Sequence, residues 1–471
     1  MLNGLEAVEL KLSEVLEENL SFRFDSEYFK KEYLKNINTI LDYKNGYIKF
    51  DAIIDKLTGG ATPLGANYVD DGVPFIRVQN IMQNYYNLND VVYISEQDDI
   101  DIRRSRLKLD DILLTITGVS YGKSATVTKE LVNSNINQHS VKIEIDSTFK
   151  PLFISTFLNS KIGKLQSDKN IIGISRPALD YNSIKNFIIP KVNIDFQSKI
   201  EDLIQFSYKK INDSKKLYKQ SEQLLLKELN LLDFEPSKEK IAIKTFSESF
   251  GDSGRLDSEY YQPKYDEIIE KIKSYRGGSE TINISCNLKN TNYKLEDKKF
   301  YQYVELSNIG TTGDITGFTY EQGQNLPSRA RRLVKENDVI ISSIKGSLSK
   351  VAIVRKEFNN SLCSTGFYVI NSKKINSETL LVLFKNKIMQ QILKQNCSGT
   401  ILTNMNKDDF LNIIIPLIDE DIQSEIKEKI KESFKLKESS KQLLEVAKRA
   451  VEIAIEDGED LAMNLIKKEK I

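Results

Sequence analysis

The seven residues Gly118-Val-Ser-Tyr-Gly-Lys-Ser124 are the first candidate for chemistry, a glycine-bearing loop ending in lysine and a hydroxyl. A phosphate-cradling loop needs four residues between its first glycine and Gly-Lys, so that its backbone N–H groups can encircle the anion before a helix begins. Here there are three, and the following Ala125-Thr-Val-Thr128 favours a strand. The loop is therefore expected to be a tight turn presenting Lys123 rather than a nucleotide site. His139 is the single histidine. Multi-histidine metal sites are thereby excluded, a Ser-His-Asp triad is disfavoured, and the usual place of such a residue is in packing or on the surface. Cys286, Cys363 and Cys397 are far apart and form no CxxC pair, which suits a reducing compartment and gives neither a zinc site nor a disulfide framework. DNA amino-methyltransferases carry a Pro-Pro-aromatic motif, but this chain has no Pro-Pro dipeptide. Glu-x-Lys triplets, which a metal-dependent nuclease would need after a strand, fall in charged helices and turns.

Residues suited to contacting nucleic acid are better placed. Arg103, Arg104, Arg106 and Lys108 precede the run at Asp111; Arg329, Arg331, Arg332 and Lys335 precede a similar run at Asp338. Arg104 aligns with Arg331, and Lys108 with Lys335. Clusters at matched places in an otherwise neutral chain fit phosphate contacts, and a solvated face is the plain alternative. Base edges are read by Arg, Lys, Asn, Gln and hydroxyl groups on loops that reach a groove. In the first half such groups are Arg77, Gln79, Asn80, Thr117, Tyr121, Lys123, Gln138, Ser175 and Arg176. In the second they are Asn308, Lys345, Ser347, Lys350, Thr365, Thr400 and Asn404. Many of these are also ordinary turn formers.

The elements that must position these groups occur twice. Arg23-Phe-Asp-Ser-Glu-Tyr-Phe29 returns as Arg255-Leu-Asp-Ser-Glu-Tyr-Tyr261, and Phe75-Ile-Arg-Val-Gln-Asn-Ile81 as Tyr303-Val-Glu-Leu-Ser-Asn-Ile309. Asp111-Ile-Leu-Leu-Thr115 returns as Asp338-Val-Ile-Ile-Ser342, and Phe187-Ile-Ile-Pro190 with Gln197 as Ile413-Ile-Ile-Pro416 with Gln423. Order is kept and the offset drifts only from 232 to 226 residues. That period is too long for a solenoid and means two domain-sized copies. Each copy reads as an acidic opening followed by short β-branched runs (Val73–Val78, Asp111–Thr117, Ala125–Thr128, Val141–Ile145 in the first) between turn formers. A helical stretch follows, Leu152–Leu165 or Thr379–Lys394, and then a long helix after a proline.

The terminal helices carry a/d spacing. The first stripe is Ile200, Ile204, Ser207, Ile211, Ser214, Tyr218, Ser221 and Leu225. The second is Ile422, Ile426, Ile430, Phe434, Leu444, Ala447, Val451 and Ala454. Serines and alanines thin both seams, so the two helices are expected to pack on each other, antiparallel, over roughly 50 Å. The expected class is α+β: two tandem mixed α/β domains, 1–190 and 236–416, in pseudo-twofold arrangement. Long helices at 191–235 and 417–471 separate them and pair as an antiparallel coiled coil.

The chain has 471 residues, 40% hydrophobic, with 67 basic and 67 acidic side chains. Such a balance argues against DNA binding by bulk charge. No apolar run approaches the ~20 residues of a membrane span, and the acidic N-terminal stretch lacks a signal core, so a soluble cytoplasmic protein is expected.

The ordered motifs carry a family resemblance. Gly60-Ala-Thr-Pro63, Tyr68, Gly72-Val-Pro-Phe-Ile-Arg-Val-Gln-Asn-Ile81, Asp111-Ile-Leu-Leu-Thr-Ile-Thr-Gly118, Gly122-Lys123, Ile136-Asn-Gln138 and Ile188-Ile-Pro190 resemble the specificity subunits of type I restriction-modification enzymes. The likeness covers nearly the whole chain. The second copy lacks the Gly-x-Thr-Pro opening and reads Asn290-Thr-Asn-Tyr293 there; Phe196-Gln197 and Ile422-Gln423 stand where the family often has Glu-Gln. The resemblance implies a non-catalytic subunit with two target-recognition domains, each reading one half of a split site in double-stranded DNA. Its helices would set the spacing and dock two DNA methyltransferase subunits, with restriction/translocase subunits joining where the system cleaves. S-adenosylmethionine, ATP and Mg would be bound by those partners, and no cofactor by this chain. A recognition subunit of a type II-like or other anti-phage methyltransferase or nuclease system, an enzyme with an unrecognised site, and a scaffold that binds no DNA are the other readings that the sequence leaves open.

Overall fold

The computed structural model describes residues 7–16, 19, 23–65, 67–173, 176–251, 254–398 and 403–468. These divide into two compact units, one of residues up to 210 together with 438–471, the other of 211–437. The division runs through the middle of both long helices.

In the first unit, the central sheet is antiparallel and ordered Ile54–Gly59, Ser140–Ile145, Ile112–Thr115, Ser124–Thr126. Its inner strand is buried on both faces. Ile112 and Leu114 join Val141, Ile143, Phe153 and Phe157 on one side, whereas Leu113 joins Ile76, Ala125 and Ile136 on the other. Alternate residues of a strand point to opposite faces, so a doubly covered strand needs an unbroken apolar run such as Ile112-Leu-Leu114. A second sheet holds Val92–Ile94, Val73–Ile76 and Asn135–Ile136, the last two parallel.

The second unit repeats the plan. Asn287–Leu288, Phe367–Asn371, Val339–Ser342 and Val351–Ile353 form its central sheet. Its second sheet gains a strand, Ala330–Leu333, where the first unit has the helical turns Glu96–Asp101 and Arg103–Ser105. In both units the chain enters and leaves the domain through one short antiparallel pair: Tyr47–Lys49 with Ile188–Pro190, and Ser279–Thr281 with Ile414–Pro416.

The helical stretches expected as single elements are each broken in two. Pro151–Asn159 and Lys161–Asn170 meet at Ser160, whose Oγ accepts from Gly163 N at 3.2 Å. Ser377–Lys385 and Lys387–Gln395 meet at Asn386, whose Oδ1 accepts from Ile388 N and Met389 N. A side chain that caps a new helix ends the old one even though the apolar period continues across it.

The repeated polar residues are structural locks. Arg23 reaches Lys169 O (3.2 Å) and Ile171 O (3.0 Å), and Arg255 reaches Gln395 O (3.4 Å) and Cys397 O (3.3 Å). Each arginine thus satisfies carbonyls at a helix end that have no intrahelical partner. Gln197 Oε1 accepts from Lys150 N (2.9 Å) and Gln423 Oε1 from Asn376 N (2.7 Å), tying each domain to the start of its long helix.

The long helices are Ile194–Glu228 and Glu420–Glu456. Within the first unit Ile200, Leu203 and Ile204 share a core with Leu443, Leu444, Ala447, Val451 and Phe153. Within the second, Leu225 shares one with Ile426, Ile430 and Phe434. The seam serines are buried and bonded across it. Ser207 Oγ lies 2.8 Å from Ser440 Oγ and donates to Ser440 O at 3.1 Å; Ser433 Oγ lies 2.9 Å from Ser214 Oγ and donates to Ser214 O at 2.8 Å. These partners rise on one helix as they fall on the other, which is the antiparallel pairing expected. A further helix, Glu459–Lys468, follows Gly458 (φ +106°) and buries Ala462 and Ile466 in the first unit's core. Among the described residues no helix is long and apolar enough to cross a membrane.

Candidate nucleic-acid interface

Three segments meet at one edge of each unit. In the first, Ile116 N donates to His139 O (2.9 Å), Gly118 N donates to Pro177 O (3.0 Å), and Thr117 bridges Ala178. These bonds bring Thr117, Gln138 and Arg176 together. Gly60 lies beneath them: a Cβ there would stand 2.0 Å from Asn137 O, so the glycine of the Gly60-Ala-Thr-Pro63 motif allows the 137–139 loop to pack down. In the second unit Ser343 N donates to Gly366 O (2.9 Å), Lys345 N to Thr403 O (3.0 Å) and Thr365 N to Arg329 O (2.8 Å), while Ile344 bridges Asn404. Arg329, Lys345, Thr365 and Asn404 thereby share an edge. The scaffolding bonds of the two units match, and the side chains they present do not. The Gly118–Ser124 loop is followed by the strand Ser124–Thr126 and so lacks the helix of a phosphate loop.

The arginine clusters, matched in sequence, differ in structure. Arg103 and Arg104 sit on a 3-10 turn, are exposed, and make no side-chain hydrogen bond or ion pair among the described residues. Arg106 grips Asp99, whose side chain is 6% exposed and which also accepts from Asn135 Nδ2 at 2.9 Å. In the second cluster Arg329 bonds Tyr303 Oη (3.3 Å) and Glu305 (3.1 Å), and Arg331 bonds Ser328 O (3.1 Å). Arg332 bonds Asn290 O (2.5 Å) and Asn292 Oδ1 (2.8 Å). Arg106 and Arg332 are therefore braces within the fold rather than open phosphate contacts. Lys108 pairs with Glu144 at 2.8 Å, and Lys335 with Asn360.

Several other sequence candidates are engaged by neighbours within the fold. Asn80 is fully buried; its Oδ1 accepts from Arg77 N (2.9 Å) and its Nδ2 donates to Asn87 O (2.9 Å), so it shapes a turn and presents nothing to a groove. Asn308 repeats the first bond with Glu305 N. Arg77 and Gln79 are both drawn to Asp90. Tyr121 donates to Asp168 (2.7 Å), and burial, then that bond, hold its phenol well above the usual range. Lys123 turns toward Met82 Sδ (3.9 Å), Lys350 donates to Ile309 O (3.0 Å), and Ser347 bonds Ser342. Gln138, Arg176, Thr365 and Asn404 are exposed with no side-chain partner among the described residues, and Lys345 has only a 3.5 Å pairing with Glu259. Ser175 and Thr400 lie outside the described residues.

Sequence reasoning also passed over the charge pair at the start of each inner strand, at the end away from the edge. Asp111 (3% exposed) pairs with Lys142 (2%) at 3.2 Å, and Asp338 pairs with Lys289 at 2.7 Å. Burial pushes the Asp111 carboxyl above its ordinary value despite the Lys108 N–H and Lys142. No group of three His, Cys, Asp or Glu is placed to hold a metal among the described residues.

Comparison with known proteins adds to this geometry. Residues 280–449 match the family model of the type I restriction modification DNA specificity domain. The specificity subunit of the type I restriction enzyme EcoBI from Escherichia coli is 30% identical over 136 residues, 28% of this chain and 28% of that protein. This chain thus aligns with just over a quarter of that relative's length. Among solved structures, the S subunit of a type I restriction-modification system from M. genitalium is 13% identical, with a TM-score of 0.36 over 91% of this chain and 96% of that one. The HsdS subunit from Thermoanaerobacter tengcongensis is 14% identical, with a TM-score of 0.27 over 90% and 95%.

Proposed function

We propose, from the type I restriction modification DNA specificity domain that residues 280–449 carry, that this chain is the sequence-reading subunit of such a system. Each unit reads one half of a split site in double-stranded DNA, and the chain performs no catalysis. The observation that carries this is the pair of edges built by matching backbone bonds yet presenting different side chains: Thr117, Gln138 and Arg176 in one, Lys345, Thr365 and Asn404 in the other. One scaffold with two sets of surface groups suits two unlike half-sites. Free arginines at Arg103 and Arg104 add sequence-independent phosphate attraction. Two DNA methyltransferase subunits dock on the chain in the cytoplasm and bring S-adenosylmethionine; a restriction subunit, where present, brings ATP and Mg.

The test is to map methylated adenines genome-wide with the neighbouring methyltransferase co-expressed, with and without this chain. A motif of two short defined segments around an undefined gap, lost on deletion, is expected. A motif that survives deletion, or none at all, would refute the reading.

A further inference from the structure

The chain's one histidine stands in the reading edge of the first unit, on a loop the sequence offers for base reading although a lone histidine is more usually a packing or plain surface residue. His139 Nδ1 lies 2.6 Å from Thr117 Oγ1, and its carbonyl accepts from Ile116 N at 2.9 Å. The ring is thus held from behind. Its Nε2 makes no hydrogen bond among the described residues and is not one of the buried polar atoms, so it reaches solvent. Exposed Gln138 precedes it, and Val119, 99% exposed, stands two residues beyond Thr117 on the neighbouring loop. The second unit has Ile344, Gly346 and Gly366 at the matching places. It offers no imidazole, no hydroxyl to set one and no apolar tip.

We infer that His139, its ring set by the Thr117 hydroxyl, is a specificity-determining residue that contacts a base edge in the first half-site only. This rests on the reading of the chain as a DNA-specificity subunit. An imidazole with one nitrogen occupied offers a single outward nitrogen, donor or acceptor according to the tautomer that the threonine selects. Base edges in the major groove carry matching acceptors at N7, O6 and O4 and donors at N6 and N4. A ring already fixed in place loses little freedom on binding, so its hydrogen bond discriminates efficiently. Val119 offers the apolar surface that favours a thymine methyl beside it.

The test uses the full chain with its methyltransferase partner and compares wild type with His139→Ala and Thr117→Val, and with Thr365→Ala in the second unit. Methylated motifs are mapped and each complex's melting temperature is measured. His139→Ala should relax preference at one base pair by about tenfold, leave the other half-site intact and leave the melting temperature unchanged. Thr117→Val should relax the same position less, and Thr365→Ala should alter the opposite half. Unchanged motifs in both His139→Ala and Thr117→Val overturn the inference. So does a loss of methylation that tracks a fall in melting temperature in both, because the pair would then be structural. A wild-type chain that directs no split motif overturns the underlying reading and this inference with it, a result separable from the others because it needs no variant.

Discussion

Removing Arg103 and Arg104 together should flatten the salt dependence of DNA binding. Both side chains are exposed and make no side-chain pairing among the described residues, so each can meet a phosphate without breaking anything first. Each phosphate neutralised contributes about 0.9 to the slope of log affinity against log salt, so the pair contributes about 1.8. Between about 50 and 200 mM salt, a fourfold change, wild type should lose about twelvefold more affinity than Arg103→Ala/Arg104→Ala. The assay is equilibrium binding of the methyltransferase complex to a duplex containing its site, repeated at stepped salt. Arg106→Ala is the contrast. It strands Asp99, 6% exposed, with only Asn135 as partner, so it should leave the slope alone and cost about 1–3 kcal/mol of stability. Arg332→Ala should likewise spare the slope, since that guanidinium already bonds Asn290 and Asn292. An unchanged slope in the double variant, or an equal drop for Arg332→Ala, would refute the division into open and bracing arginines.

Further outcomes follow from the packing. Ser207→Leu should overfill the seam at the Ser440 contact and cost about 1–3 kcal/mol, whereas Ser207→Ala should cost about 0.5–1.5 kcal/mol; chemical denaturation measures both. Ending the chain after Lys437 removes Leu443, Leu444, Ala447, Ala450, Val451, Ala454, Ile455, Ala462 and Ile466 from the first unit's core. Limited proteolysis should therefore digest residues 23–210 while sparing the second unit, and survival of both would contradict the assignment of these helices. Exchanging residues 50–187 for the matching segment of a relative should change one half-site in the methylation map and leave the other intact. Burial, reinforced by Lys350 and Lys437 against Asp314, lowers the Lys385 ammonium to about 8. The unfolded chain then holds the extra proton between pH 8 and its ordinary value, so stability should rise with pH across that window. Melting curves of Lys385→Met should lack that rise.

The duplication was fully legible because repeated order survives without any knowledge of contacts. The strands at Ile112 and Val339 were legible too, since burial on both faces demands an unbroken apolar run. Helix ends were less so: the apolar period runs straight through Ser160 and Asn386, and only their capping bonds reveal a break. The a/d spacing shows that a helix pairs but not which compact unit each half of it joins. The arginines differ most from expectation. Arg103 and Arg106 look alike in sequence, yet Asp99, seven residues back, claims Arg106, and Asn290, some forty residues back, claims Arg332. Asn80, which resembles a base reader by type, is consumed by its own turn. Side-chain type sets what a group can do; its long-range neighbours decide whether it is free to do it.

The short strand pairs at the base of each domain bear on how such a chain can be inherited. Tyr47–Lys49 lies against Ile188–Pro190, and Ser279–Thr281 against Ile414–Pro416, so the two ends of each intervening segment are only about 5 Å apart across an antiparallel pair. A segment of foreign sequence whose ends meet the same way can be spliced between them without moving either long helix. Two genetic crossovers, one at each strand of a pair, are then enough to replace everything between them while the long helices keep their sequence.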